Sequence, residues 1–125
     1  MPQPRRRRGR LSRSGDFDRV YREGRSHANR HVVLYAFPRR EDDENETRLG
    51  ISVGRKVGGA VDRNKVKRAF REAFWEIAEG LPESHDYVLV ARPDAADLVE
   101  REGTPGMRAT VEEVIAEGGL GGGSA

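Results

Sequence analysis

The sequence predicts an α+β or α/β sandwich with helices laid on one sheet, and three patterns carry that reading. Apolar residues recur at helical spacing in a short segment beginning near residue 14 and in a long one from 54 to 79. Between and after them lie short runs rich in Val, Leu, Ile and Tyr, the composition of strands. The resulting order of helix, strands, long helix, strand and helices suits a sheet that carries its helices as a packed layer. With 125 residues, 35% charged and 35% apolar, the chain amounts to one domain. A chain of this size buries roughly 65% of its unfolded surface, so one small core needs no covalent staple.

Residues 1–10 (MPQPRRRRGR) hold five arginines and two prolines, which predicts a disordered basic arm. Ser14 reads as an N-cap, Asp16 suits a first turn, and Phe17, Val20 and Tyr21 fall at i, i+3 and i+4 before Gly24 closes a short amphipathic helix. Ser26 to Ala28 adds a short strand piece, and Arg30 to Phe37 is a strand ended by Pro38. The acidic run Glu41, Asp42, Asp43, Glu44 and Glu46 reads as a solvated hairpin loop, without the spacing of a calcium loop. In the next strand, Arg48 to Val53, Leu49, Ile51 and Val53 alternate with Gly50, Ser52 and Gly54, so one face is apolar and the other nearly bare. A long helix follows, with Val66, Phe70, Ala73, Phe74 and Ile77 as its buried stripe and Gly80 and Pro82 as its stop. Tyr87 to Ala91 is a further strand. Asp94 to Arg101 and Met107 to Glu117 are helical, separated by Gly103, Thr104, Pro105 and Gly106. A single domain is expected over 11–118, with a flexible glycine-rich tail over 119–125.

Several function classes drop out. Cysteine is absent, which removes disulfides, thiolate catalysis and Cys-ligated zinc and makes a reducing cytoplasm the natural setting. The longest apolar run, Val32 to Phe37, has six residues against the roughly 20 that span a bilayer, so no membrane association is expected. No apolar stretch follows the N-terminal arginines, so no secretory signal is expected either. His27, His31 and His85 lack ligand spacing, and Gly58 and Gly59 after Lys56 do not form a Walker loop. Protein-borne catalysis therefore has no visible machinery.

The charge is distributed unevenly. Residues 1–75 carry a net +10 and residues 76–125 a net −8. All cations but Lys56, Lys65 and Lys67 are arginine, which suits bidentate phosphate contacts and equally fits codon bias in a GC-rich genome. Position is more informative than number. At 100° per residue Asn64, Arg68, Arg71 and Trp75 fall within about 60° of one another, opposite the apolar stripe, with Lys67 beside them. Together with Arg55, Lys56, Arg63 and Lys65 they give residues 54–72 a net +5, with few acids for relief, the pattern of a phosphate-binding face. Asn64 suits either a helix cap or a contact to phosphate or sugar, and Asp62 competes for the cap. The glycines at 58 and 59 serve a tight turn, with or without an anion beside it.

Residues 48–74, RLGISVGRKVGGAVDRNKVKRAFREAF, closely resemble the signature of the bacterial ribonuclease P protein subunit, with RN-x-x-KR-x-x-RE as the specific part. The segments SRSGDFDRVYREGRSHANRHVVLYAFP and DYVLVARPDAADL also look like that family, so the resemblance spans roughly residues 11–99 in order. It implies an α-β-β-β-α-β-α sandwich akin to a ribosomal-protein domain, with a left-handed crossover through the long helix. It also implies a job, in which one small protein joins one large catalytic RNA and helps remove the 5′ leader of precursor tRNA. The RNA is then expected to hold the catalytic Mg2+, and no stand-alone nuclease activity is expected of the protein.

Carried over by position, Arg55, Lys56, Arg63, Asn64, Lys65, Lys67, Arg68 and Arg71 match the family's basic segment that contacts the RNA subunit. Phe17, Tyr21 and Tyr35 match the aromatics lining a cleft for the single-stranded leader. Phe17 and Tyr21 at i, i+4 are also what any helix would use to cover a sheet. Lys65 stands where the family often has arginine, Gly59 where asparagine is common, and Gly54 and Arg55 replace the usual serine and lysine. The acidic loop and the GTPG insertion look particular to this chain, the basic arm suits unspecific phosphate contacts, and Trp75 is open to three readings: stacking on RNA, contact with another protein, or a place flat on the helix surface.

Overall fold

The structure, a computed structural model, describes residues 7–39, 46–82 and 84–119. Its elements in chain order are β1 (Arg7–Arg10), α1 (Ser14–Glu23), β2 (Arg25–Ala28), β3 (Val32–Pro38), β4 (Glu46–Ser52), α2 (Ala60–Ile77), β5 (His85–Ala91) and α3 (Ala95–Glu117). Short 3-10 turns at Arg55–Val57 and Ala78–Gly80 flank α2. From α1 onward this is the expected α-β-β-β-α-β-α order.

The strands form one mixed sheet in the order β1-β4-β5-β3-β2. β4 and β5 are parallel neighbours joined through α2, and β3 runs antiparallel to β5. The centre falls to β5 because it is apolar on both faces. Tyr87, Leu89 and Ala91 join the larger core under α2 and α3, whereas Val88 and Val90 join a smaller cluster with Leu11, Phe17 and Val20 at α1. Helices thus cover both faces of the sheet. The α2 stripe is buried as its periodicity requires, at Val66, Ala69, Phe70, Ala73 and Phe74, with Ile77 packed at the margin.

Three expectations need correction. Arg7–Arg10 form a strand parallel to β4 where a disordered arm was expected; residues 1–6 lie outside the described residues. Once β5 occupies one edge of β4, the other edge still carries a row of backbone N–H and C=O groups, and β1 pairs with them. Buried Leu11, whose N–H donates to the Leu49 carbonyl at 3.0 Å, pins the end of the added strand. Second, β3 and β4 do not form a hairpin, because β5 lies between them; residues 41–45 of the acidic run are outside the described residues, and Glu46 begins β4. Third, α1 is preceded by Arg13 at the cap position, with no side-chain cap bond, so Ser14 is its first residue.

The two C-terminal helical stretches form one run interrupted at Gly103 (φ 65°, ψ −157°), after which Pro105 sits where a helix start tolerates a missing N–H. Of the tail, residues 120–125 lie outside the described residues. At the sheet end the Asp86 carboxylate, 1% exposed, accepts hydrogen bonds from Arg39 at 2.6 Å and from Arg48 at 2.7 and 2.8 Å. This charged clasp ties the end of β3 to β4 across β5.

Candidate nucleic-acid interface

The α2 helix begins at Ala60, after Gly59, and the preceding turn needs Gly58, whose φ of 154° a side chain would strain. Asn64 is therefore a full turn inside the helix, exposed, and is not the cap; nor does Asp62 make a side-chain cap bond. This leaves Asn64 on the outer face beside Arg68 and Arg71, all three in solvent. Arg55 and Lys56 are exposed on the 3-10 turn just before the helix, and Arg63 and Lys67 are half-buried on its flank. The Arg63 Nε is shielded from solvent without an acceptor.

None of Arg55, Lys56, Arg63, Lys67, Arg68 and Arg71 makes an ion pair with a carboxylate among the described residues. Some cations elsewhere are matched, Arg108 with Glu76 at 2.8 Å, Arg101 with Asp97 at 2.9 Å, and Arg39 and Arg48 with Asp86, whereas Arg13, Arg19, Arg22 and Arg25 around α1 also make no ion pair among the described residues. The positive potential of the α2 face is thus left unneutralised by the protein. Lys65 is set apart from the group, since it lines a crevice toward α3 together with Asp62 and Glu100.

The aromatic residues meet on the opposite face of the sheet. Tyr21 stands edge-on to Tyr35 with ring centroids 4.9 Å apart, and Phe17 lies 6.1 Å from Tyr21. Phe17 covers the bare face of β4: a Cβ on Gly50 would sit 2.7 Å from its ring, so the glycine makes room for the aromatic. Tyr21 keeps 38% of its surface in solvent. Partial burial raises its phenol above the usual value, a shift that a hydrogen bond with the Ser52 side chain opposes. The rings cover the sheet and still present an open aromatic surface.

A cleft of about 420 Å3 runs around the β1 edge, from Phe17 on one face to Lys67, Arg71 and Trp75 on the other. Arg8 and Arg10 of β1 also line it, and the Arg8 guanidinium lies 5.0 Å from the Trp75 ring centroid. Sequence reasoning assigned these two arginines to a structureless arm, because RRGR has no strand signature of its own.

The family profile described as Ribonuclease P matches residues 6–114. The chain belongs to the ribonuclease P protein family. The ribonuclease P protein component of Halalkalibacterium halodurans is 44% identical over 89 residues, which cover 71% of this chain and 73% of the relative. Among solved structures, the RNase P protein of Staphylococcus aureus matches with a TM-score of 0.77 and 36% identity, covering 90% of this chain and 96% of that one. The RNase P protein of Thermotoga maritima matches with a TM-score of 0.72 and 31% identity, covering 86% and 96%. As a ribonuclease P protein, the chain takes part in tRNA 5′ maturation together with the RNA subunit.

Proposed function

We propose that this ribonuclease P protein binds its RNA subunit through Arg55, Lys56, Arg63, Asn64, Lys65, Lys67, Arg68 and Arg71, and holds the 5′ leader of precursor tRNA against Phe17, Tyr21 and Tyr35. One protein serves one RNA, in the cytoplasm. The observation that carries the reading is the clustering on and before α2 of six cations that make no ion pair among the described residues, whereas the cations of the neighbouring α3 are paired. Unpaired guanidinium and ammonium groups displace condensed counterions from RNA and let phosphates approach one another, which favours both assembly and metal binding within the RNA. Leader bases stack on the tyrosine and phenylalanine faces in a manner tolerant of sequence.

Endonucleolytic hydrolysis is assigned in this proposal to the RNA, with Mg2+ held there. Among the described residues no group of three His, Asp or Glu side chains is placed to hold a metal ion, and the face offered to RNA consists of cations that would repel one. The protein's own contribution is positioning and charge neutralisation. No helix among the described residues is long and apolar enough to cross a membrane.

Reconstitution tests the reading. At low magnesium, precursor tRNA cleavage by the RNA subunit should rise sharply when the protein is added, and the protein alone should cleave nothing. Cleavage by the protein without RNA, or no stimulation of the RNA, would overturn it.

A further inference from the structure

Trp75 has no role in the RNA-binding groups assigned above, yet its surroundings are those of a stacking site. Phe74 meets its ring edge-on at 5.0 Å and 82°, which fixes the indole from the core side. The half-exposed ring looks into the cleft at the β1 edge. Among the described residues four cations, Arg8, Arg10, Lys67 and Arg71, line that cleft and no carboxylate does. On the outer side of Trp75, Glu72 and Glu76 border a second hollow with Arg8 and Arg71, and both acids are engaged, Glu72 accepting from the Thr104 hydroxyl at 3.2 Å and Glu76 from Arg108 at 2.8 Å. The cleft is large enough for a small ligand and continues to Phe17.

Resting on the proposed leader-binding role, we propose that the cleft between β1 and α2 is an additional binding site for single-stranded RNA. A nucleotide of the 5′ leader stacks its base on Trp75, and its phosphates sit among Arg10, Lys67 and Arg71. An aromatic face ringed by cations is complementary to a base with its flanking phosphates, and to neither an apolar nor a cationic partner. Arg8 lies over the indole with its guanidinium 5.0 Å from the ring centroid, too close to admit a base between them, so it swings off the ring face as the base stacks and pairs with the flanking phosphate instead. Continuity with Phe17 selects the leader as the source: a strand lying on the Phe17–Tyr21–Tyr35 surface reaches Trp75 by following the β1 edge. The site extends the leader contact from one face of the sheet to the other and requires no residue of the aromatic trio to change place.

Trp75 is the only tryptophan in the chain, so its fluorescence reports the site directly. Titration of the full-length protein with a short single-stranded oligoribonucleotide should quench that fluorescence saturably, with the same midpoint as the anisotropy of a fluorescein-labelled copy. Unchanged fluorescence at saturation, or no binding of the oligoribonucleotide, overturns the proposal.

In the reconstituted particle, Trp75→Leu should weaken precursor tRNA binding about tenfold, the scale of one stacked base, and leave mature tRNA within about twofold. Trp75→Phe should restore most of the loss. Equal losses for both tRNAs, weakened assembly with the RNA subunit alone, or no loss at all would each contradict the assignment. If wild-type protein still stimulates cleavage in those cases, the proposed function stands and only this site fails.

Discussion

The cations of α2 and those of α3 lie on neighbouring helices and lead opposite lives. On α3, Arg101 is held by Asp97 and Glu102, and Arg108 by Glu76 and Glu112. The hydrogen bond from Arg101 to Asp97 raises that guanidinium above its usual value. On the outer face of α2, Lys67, Arg68 and Arg71 have no such partners among the described residues. A folded protein that wanted only solubility would interleave acids among these positions, as it does one helix away. Between these two helices pairing, and not charge content, separates the cations, because those of α2 stay available to a polyanion and those of α3 do not.

The interior sharpens the same contrast. Arg39 and Arg48 converge on buried Asp86, so replacing the aspartate removes the one carboxylate that the two guanidiniums share. Asp86→Ala should cost about 3–5 kcal/mol of stability, read by chemical denaturation, the largest effect expected of any single change named here. A loss well under that would mean the clasp is solvated and that paired and unpaired cations differ less than claimed.

Next in size, Arg68→Ala should weaken association with the RNA subunit by about 1.5–3 kcal/mol, the scale of a hydrogen bond to a charged group, and leave the melting temperature unchanged. The exposed side chain faces away from the buried stripe, so melting of the fold would contradict its placement.

Phe17→Ala should cost about 1–3 kcal/mol in binding of precursor tRNA and less for mature tRNA, in parallel binding measurements. Gly50→Ala probes the same ring indirectly, since the added Cβ would meet it at 2.7 Å and push it off β4. Equal loss for both tRNAs would leave Phe17 a packing residue alone. Smallest of all, Arg108→Ala should change stability by no more than about 1 kcal/mol, as exposed pairs do, and leave RNA affinity untouched. A large drop in RNA affinity from that change would erase the distinction between the two helices.

Much of this was legible in the residues because it depends on local pattern. The α2 stripe and its opposite basic face follow from periodicity, and the bare side of β4 follows from Gly50 and Ser52 alternating with Leu49 and Ile51. What escaped depends on partners distant in the chain. β1 exists because β4 has a free edge, a fact about sheet order that RRGR does not encode. The absence of a β3–β4 hairpin follows from the insertion of β5, for which the double-sided apolar character of Tyr87 to Ala91 was the available signal. The separation of Lys65 from the other cations also needed α3 in place, with Glu100 beside it. Phase alone put Trp75 opposite the buried stripe, whereas its ring is partly buried against the margin of the core, and its cleft with Arg8 could not be foreseen while residues 7–10 were read as unstructured.

The most direct test is the salt dependence of association between the protein and the ribonuclease P RNA. If α2 and its preceding turn neutralise about 5 to 8 phosphates, log affinity should fall against log salt with a slope of about −3.5 to −7, and the Arg68→Ala, Arg71→Ala double substitution should flatten it by about 2. An association insensitive to salt, or a slope that the double substitution leaves intact, would contradict the account.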